Sequence, residues 1–350
     1  MPSLFNRIFV RCRRMVLARK IIRIKKDDDC LKWTIVGTGY MATTWADTLL
    51  MSKIGVLHAV CSRSLGKAEA FGKKFGCSKA FCGVEALLAS QAEELDFVYV
   101  ATPLESHYPI IKKCIEAGVN VLTEKPATEC ADEWSELAQM AKQCGVLLIE
   151  GMWMRCLPTF RQAETWIEEG EIGKVTWIKA DLNKFQIPFP GQLRADTGVL
   201  MDYGVYALYF ACHFLGGQPD WINSYGRQDS TGGDADWMIA AGKDDKTAVI
   251  NISSNFHSAS RAAVVGDDGL IEWGSPFNRT GNVVLHCFRS GNQNSKEFVY
   301  QNQGFEHQLA EVTRTQKEGL QESRLLPHQM TLNTLGFAEE VQNIASERRC

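Results

Sequence analysis

The chain has 350 residues, 45% of them hydrophobic and 23% charged, which is enough for two domains because single cores stop growing at about 250–300 residues. No run of 18 or more apolar residues occurs, so no membrane-spanning helix is expected. The net charge of −3 is uneven: residues 1–26 carry nine basic side chains and no acid, and the remainder holds 29 basic against 41 acidic groups, a balance that argues against a nucleic-acid partner.

Residues 1–30 read as a basic N-terminal extension. Leu4, Phe5, Ile8, Phe9, Cys12, Met15 and Val16 recur at helical spacing, with Arg7, Arg11 and Arg14 opposite. Such a segment suits weak contact with an anionic membrane surface through residues 4–16, a targeting role, or a plain disordered tail. Asp27-Asp28-Asp29 marks the boundary. Strands are then expected at Trp33–Val36, Val56–Cys61, Phe97–Ala101, Val119–Thr123 and Val146–Ile149. Helices are expected between them, at Met41–Met51, Leu65–Phe75, Ala86–Ala89, Ile110–Glu116 and Ala131–Gln143. Unbroken apolar strands alternating with helices mean an α/β fold, a doubly wound parallel (Rossmann) sheet over residues 31–153. After Trp153 the rhythm changes. A helix at Thr159–Glu169, an alternating strand at Val175–Asp181 and a helix at Met201–Phe214 lead into a train of strands. These are Trp221–Arg227, Trp237–Ala241, Ala248–Ser253, Ala262–Val265 and Val283–Phe288, and helices at Glu306–Lys317 and Met330–Ser346 close the chain. Residues 154–350 therefore read as an α+β domain with a mostly antiparallel sheet.

The turn Gly37-Thr38-Gly39-Tyr40-Met41-Ala42 follows a strand and opens a helix. Its first glycine permits the tight turn, its second lets the backbone approach a pyrophosphate, and the small third residue packs helix on strand. The dinucleotide would sit on the helix N-terminus, touching Gly37, Gly39, Tyr40, Met41 and Ala42. An NAD enzyme carries an acid at the end of the second strand; here the chain reads Cys61-Ser62-Arg63-Ser64, with Lys67 a turn later. Ser62, Arg63 and Lys67 suit the 2′-phosphate of NADP.

Thr102-Pro103 and Glu124-Lys125-Pro126 end adjacent strands, where open α/β sheets bind ligands. Asp202 and Tyr206 share one helix face. A tyrosine beside an ammonium has its phenolate favoured, so Lys125 and Tyr206 read as a proton-handling pair, with Asp202 holding a substrate hydroxyl. Spacing alone does not rank Tyr203, Tyr206 and Tyr209. The twelve cysteines are scattered without a CxxC pair, which indicates reduced thiols in a cytoplasmic setting and no metal site.

From Leu31 to about Ser346 the sequence resembles the glucose–fructose oxidoreductase/inositol dehydrogenase (Gfo/Idh/MocA) family. The likeness rests on the glycine turn, Ala101-Thr102-Pro103 with His107, Ala117-Gly118…Glu124-Lys125-Pro126, and Met201-Asp202-Tyr203-Gly204-Val205-Tyr206. Within it, Ile149-Glu150-x-x-Trp153-x-Arg155 is similar to the dihydrodiol dehydrogenase/D-xylose dehydrogenase branch. The resemblance implies Lys125 and Tyr206 as catalytic pair. It also implies cofactor contacts at Ser62, Arg63, Thr102, Pro103, His107, Glu124 and Lys125, and substrate contacts at Trp153, Arg155 and Asp202. A cis peptide before Pro126 is implied as well, with a dimer or tetramer formed through the open face of the second sheet. The sequence departs from the family in the loop Arg194-Ala195-Asp196-Thr197-Gly198, at Asn120 and at Leu104, all on the substrate side.

The leading expectation is an NADP-dependent oxidoreductase acting on a secondary alcohol or hemiacetal of a sugar or cyclic diol. A ketoreductase of glycan or sugar-nucleotide biosynthesis is the second reading, and a non-catalytic NADP-binding regulator the third.

Overall fold

The computed structural model describes residues 30–184, 198–228 and 233–347. The basic segment 1–26 and the loop Arg194–Thr197 lie outside the described residues. Residues from Leu31 onward form one compact unit built on two sheets.

The first sheet is parallel, with order β3-β2-β1-β4-β5-β6. Its strands are β1 (Leu31–Val36), β2 (Gly55–Ser62), β3 (Ala80–Cys82), β4 (Phe97–Val100), β5 (Asn120–Glu124) and β6 (Leu148–Gly151). Helices α1 (Tyr40–Ser52), α2 (Leu65–Phe75), α3 (Val84–Gln91), α4 (His107–Glu116) and α5 (Ala131–Cys144) connect them. β4 is buried along its whole length, as a strand covered on both faces must be. The order reverses between β1 and β4, so their carboxyl ends open the crevice where such folds take ligands.

The second sheet has order β14-β13-β12-β11-β7-β10-β9-β8. Its strands are β7 (Val175–Asn183), β8 (Trp221–Gln228), β9 (Asp234–Lys243), β10 (Lys246–Ser253), β11 (Ala262–Gly266), β12 (Gly269–Trp273), β13 (Asn282–Cys287) and β14 (Gln293–Glu297). All pairings are antiparallel except β7 with β10. Helix α6 (Pro158–Glu168) precedes the sheet, and α7 (Val205–Leu215) crosses its inner face against β7 and β10. α7 is apolar all round, which suits a helix enclosed on every side: each residue from Val205 to Cys212 is buried. Helices α8 (Phe305–Lys317) and α9 (His328–Glu347) return to the first sheet, α8 against α1 and α9 against α5.

Three strands escaped the sequence reading. β3 is only three residues long and partly exposed, β12 begins on a glycine, and β14 is an exposed polar edge. β3 and β14 lack the apolar run or alternation of useful length on which a strand is recognised, and β12, though its burial alternates, is only five residues long.

Candidate active site

The glycine turn has the shape a dinucleotide needs. A Cβ on Gly37, whose φ is +118°, would lie 2.2 Å from the carbonyl oxygen of Ala101, so only glycine allows β1 and β4 to approach here. Gly39 faces open space, and α1 starts with neither a side-chain cap nor an acid in its first turn. Its first N–H groups are therefore available to an anion, and the residues present fit a bound dinucleotide pyrophosphate. Ala42 is fully buried, so the small third residue packs α1 on the sheet. Beside the turn, Thr38, Thr43, Lys67, Ala70, Phe71 and Lys74 line a cleft. Arg63 is exposed at the end of β2 near Cys82, whose thiol donates to its carbonyl at 3.5 Å. Lys74 adds a third cation to this edge, beside Arg63 and Lys67, one that motif reading did not pick out.

Thr102 and His107 follow the end of β4. The buried His107 ring lies with Nε2 2.9 Å from the Thr102 carbonyl and Nδ1 3.1 Å from that of Pro126, stitching the ends of β4 and β5 together. Burial holds its pKa below the ordinary histidine value, although three carbonyls favour the charged ring. The Lys125–Pro126 peptide is cis.

Lys125, Asp202, Tyr206 and Trp153 meet in the structure. The Lys125 ammonium donates to the backbone carbonyl of Asp202, lies 3.6 Å from its carboxylate, and stands over the Tyr206 ring, 5.2 Å from the centroid. Asp202 sits in a π-helical turn, Leu200–Gly204, immediately before α7. Widened turns of this kind interrupt the regular backbone ladder and recur at functional sites. Trp153 donates its indole N–H to the Tyr206 hydroxyl at 2.8 Å. The three tyrosines of the helix are thereby distinguished. Tyr209 points its hydroxyl at Leu325, and the buried Tyr203 hydroxyl has no partner among the described residues.

Burial pushes the Tyr206 phenol up to about 12, against the pull of Lys125 and the Trp153 hydrogen bond. The sequence expectation that the ammonium favours the phenolate describes one of two opposed effects, and desolvation is the larger. Burial also works against the Lys125 charge, but Tyr206, Asp202 and Glu124 outweigh it and raise its pKa. At neutral pH the pair is thus an ammonium beside a protonated phenol.

Behind Lys125 are two buried carboxyl groups. Glu124 accepts from the Tyr99 hydroxyl of β4, and burial raises its pKa. Glu150, on β6, accepts from the Ala127 N–H at 3.1 Å and the Thr331 hydroxyl at 2.9 Å, and burial lifts it to about 7. Arg155 is not brought to the tyrosine: it pairs with Glu164 at 2.5 Å, and His213 shares the same carboxylate at 3.0 Å. Asp234, invisible to motif reading, fixes the start of the π-turn that carries Asp202 by accepting from Leu200 N–H at 3.0 Å and from the Trp237 indole.

Two models of one family cover the two parts of the chain in succession. The oxidoreductase family, NAD-binding Rossmann fold, matches residues 31–152, and the GFO/IDH/MocA C-terminal domain matches 160–272. The chain belongs to the Gfo/Idh/MocA oxidoreductase family. Curated relatives named trans-1,2-dihydrobenzene-1,2-diol dehydrogenase include one from Mus musculus, 32% identical over 207 residues, 58% of this chain and 62% of the relative. The match therefore spans less than two thirds of that relative's length. The Bos taurus protein of the same name is 26% identical over 318 residues, 85% of this chain and 91% of its own. Among solved structures, an aldose-aldose oxidoreductase from Caulobacter crescentus superposes with TM-score 0.81 at 23% identity, covering 91% of this chain and 98% of that one. That likeness of fold covers both sheets of the chain.

Proposed function

We propose that this member of the Gfo/Idh/MocA family is an NADP-dependent oxidoreductase acting on a secondary alcohol or hemiacetal of a sugar or cyclic diol. The observation that carries the reading is the meeting of Lys125, Asp202 and Tyr206 beyond the end of β5, two strands from β1 and its glycine turn. Names of the curated relatives favour a diol. In this reading residues 31–153 bind the nucleotide, and residues 154–350 supply the substrate side and the oligomer contact. Arg63 and Lys67, with Ser62, hold the 2′-phosphate, and Lys74 adds to their field. Gly37, Gly39, Tyr40, Met41 and Ala42 cradle the pyrophosphate, and Thr102, Pro103, His107 and Glu124 border the nicotinamide end. The nicotinamide, when bound, accepts or donates the hydride. The chain's own part is the proton: Tyr206 holds it at its phenolic oxygen, Lys125 stabilises the charge left when it departs, and Asp202 orients a neighbouring substrate hydroxyl. Arg155 then acts through Glu164 on the packing behind the site.

Carbonyl reduction is the second reading, favoured by the Tyr206 phenol at about 12, a donor at neutral pH. Retention of Lys125, Asp202 and Tyr206 in contact disfavours a non-catalytic regulator.

The outer face of the second sheet supports a homodimer or tetramer. Tyr225 and Met238 pair directly across β8 and β9 and are 64% and 63% exposed, and Trp221 on β8 and Trp177 on β7 are exposed as well. Among the described residues no helix is long and apolar enough to cross a membrane, and the ten described cysteines are free thiols.

The test is a screen of pentoses, hexoses, cyclic diols and their carbonyl counterparts with both nucleotides, followed by the Tyr206→Phe protein. Nucleotide-dependent turnover that Tyr206→Phe abolishes is expected. Undiminished turnover in Tyr206→Phe, with Lys125→Met equally active, would overturn the assignment.

A further inference from the structure

Trp153 is 5% exposed, and its indole is held from two sides. Phe305 stacks on it with centroids 4.6 Å apart and planes 20° from parallel. Gly304, at φ +101°, closes over the same edge: a Cβ there would come 2.3 Å from Leu157 and 3.5 Å from the Trp153 ring. The segment that carries these two residues is itself tied down. The Glu306 carboxylate accepts from the backbone N–H groups of Gln301, Asn302 and Gly304. Against Tyr206 the clamped indole stands edge-on, 86° from the phenol plane, which aims its in-plane N–H at the hydroxyl oxygen. Elsewhere the fold tolerates idle indoles: Trp33, Trp45 and Trp273 bury an N–H with no hydrogen-bond partner among the described residues.

We propose that Trp153 is the positioning residue of the Tyr206 proton: its clamped N–H occupies one lone pair of the phenolic oxygen, turns the O–H away from itself, and stabilises that oxygen when the proton leaves. This rests on the reading of Tyr206 as proton carrier. A phenol oxygen has one proton and two acceptor sites, so an N–H approaching at 2.8 Å fixes the rotor that would otherwise spin. The same bond is stronger to the phenolate than to the phenol, because hydrogen bonds to ionised acceptors are roughly twice as strong as neutral ones. Trp153 thereby assists Lys125 against the desolvation that opposes proton release.

The test uses the full chain with difluorotyrosine incorporated at position 206, whose more acidic phenol brings the titration into a range the fold tolerates and whose fluorine resonance reports on that residue alone. Trp153→Phe keeps an aromatic ring against Phe305 and removes the N–H donor together with the pyrrole ring that carries it. Its fluorotyrosine pKa is expected to rise by about one to two pH units, the worth of a hydrogen bond to a charged group. Turnover in alcohol oxidation by the Trp153→Phe protein should fall tenfold or more near neutrality and recover as pH rises, with nucleotide affinity unchanged. Phe305→Leu, which loosens the clamp but keeps the donor, should move the titration in the same direction by less. An unmoved fluorine titration in Trp153→Phe would overturn the proposal, as would an unmoved one in Phe305→Leu should Trp153→Phe not fold. A titration that moves while turnover stays constant would keep Trp153 as the tuner and remove Tyr206 as the proton carrier.

Discussion

The Lys125 ammonium lies over the face of the Tyr206 ring, 5.2 Å from its centre, with the carbonyl and the carboxylate of Asp202 as its near polar neighbours. Its influence on the phenol is therefore a through-space charge effect set by the ring's position. Lys125→Met and Tyr206→Phe should each lower turnover by roughly 10²–10⁴, the usual share of general acid–base catalysis. The double variant should cost little more than either, because groups acting as a unit are not additive. Steady-state rates of the four proteins check this. Tyr203→Phe and Tyr209→Phe serve as controls expected to stay near full activity.

Nucleotide choice is expected to follow the rim of the cleft. Arg63→Ala should weaken NADPH by roughly ten- to a hundredfold, the worth of a charge-assisted phosphate contact, and leave NADH nearly unchanged. Fluorescence titration with both nucleotides measures it, and equal affinities in the unaltered protein would remove the 2′-phosphate assignment.

Gly198 stands at φ +61°, and a Cβ there would come 1.1 Å from the Asp234 carboxylate. Gly198→Ala should therefore displace the carboxylate that accepts from Leu200, at a cost of about 1–3 kcal/mol. Denaturation midpoints would show the loss. Turnover should drop with it, since the π-turn carries Asp202.

Glu150 gives a pH signature to stability. Its carboxyl is lifted by burial to about 7 from 4.5, so the folded state holds the proton more tightly than the unfolded one. Stability must then fall as pH rises through that window, by roughly 3 kcal/mol in full. Glu150→Gln should flatten the difference between denaturation midpoints at about pH 5 and about pH 8. A Gln variant with the same pH slope would place the titration elsewhere.

Much of this arrangement was legible in the sequence. The glycine turn, the Glu124-Lys125-Pro126 strand end and the Asp202/Tyr206 spacing are local patterns, and local patterns survive in one dimension. Asp234 and Thr331 are not legible in that way, because each acts across more than thirty positions on a backbone group or a side chain that no motif marks. Glu150 did leave a trace, an acid at the end of the apolar run Val146–Ile149, but only burial shows that it titrates near neutrality. The sign of the Tyr206 shift is not legible, since the sequence names the neighbouring charge and is silent about desolvation.

Helix α9 is tied to the first sheet at two places, Thr331 to Glu150 and His328 to the Leu148 carbonyl, and to helix α5 at two more, the Trp134 indole to the His328 carbonyl and the Ala131 N–H to Glu339. Glu150 in turn holds the Ala127 N–H, two residues beyond the catalytic-side lysine. The ribosome makes Lys125 some two hundred residues before it makes Thr331. During synthesis the glycine turn and the lysine strand are complete long before the segment that braces them, so the nascent chain carries a lysine loop with its bracing carboxyl half-satisfied. Competence for catalysis should therefore appear late and all at once, when α9 docks.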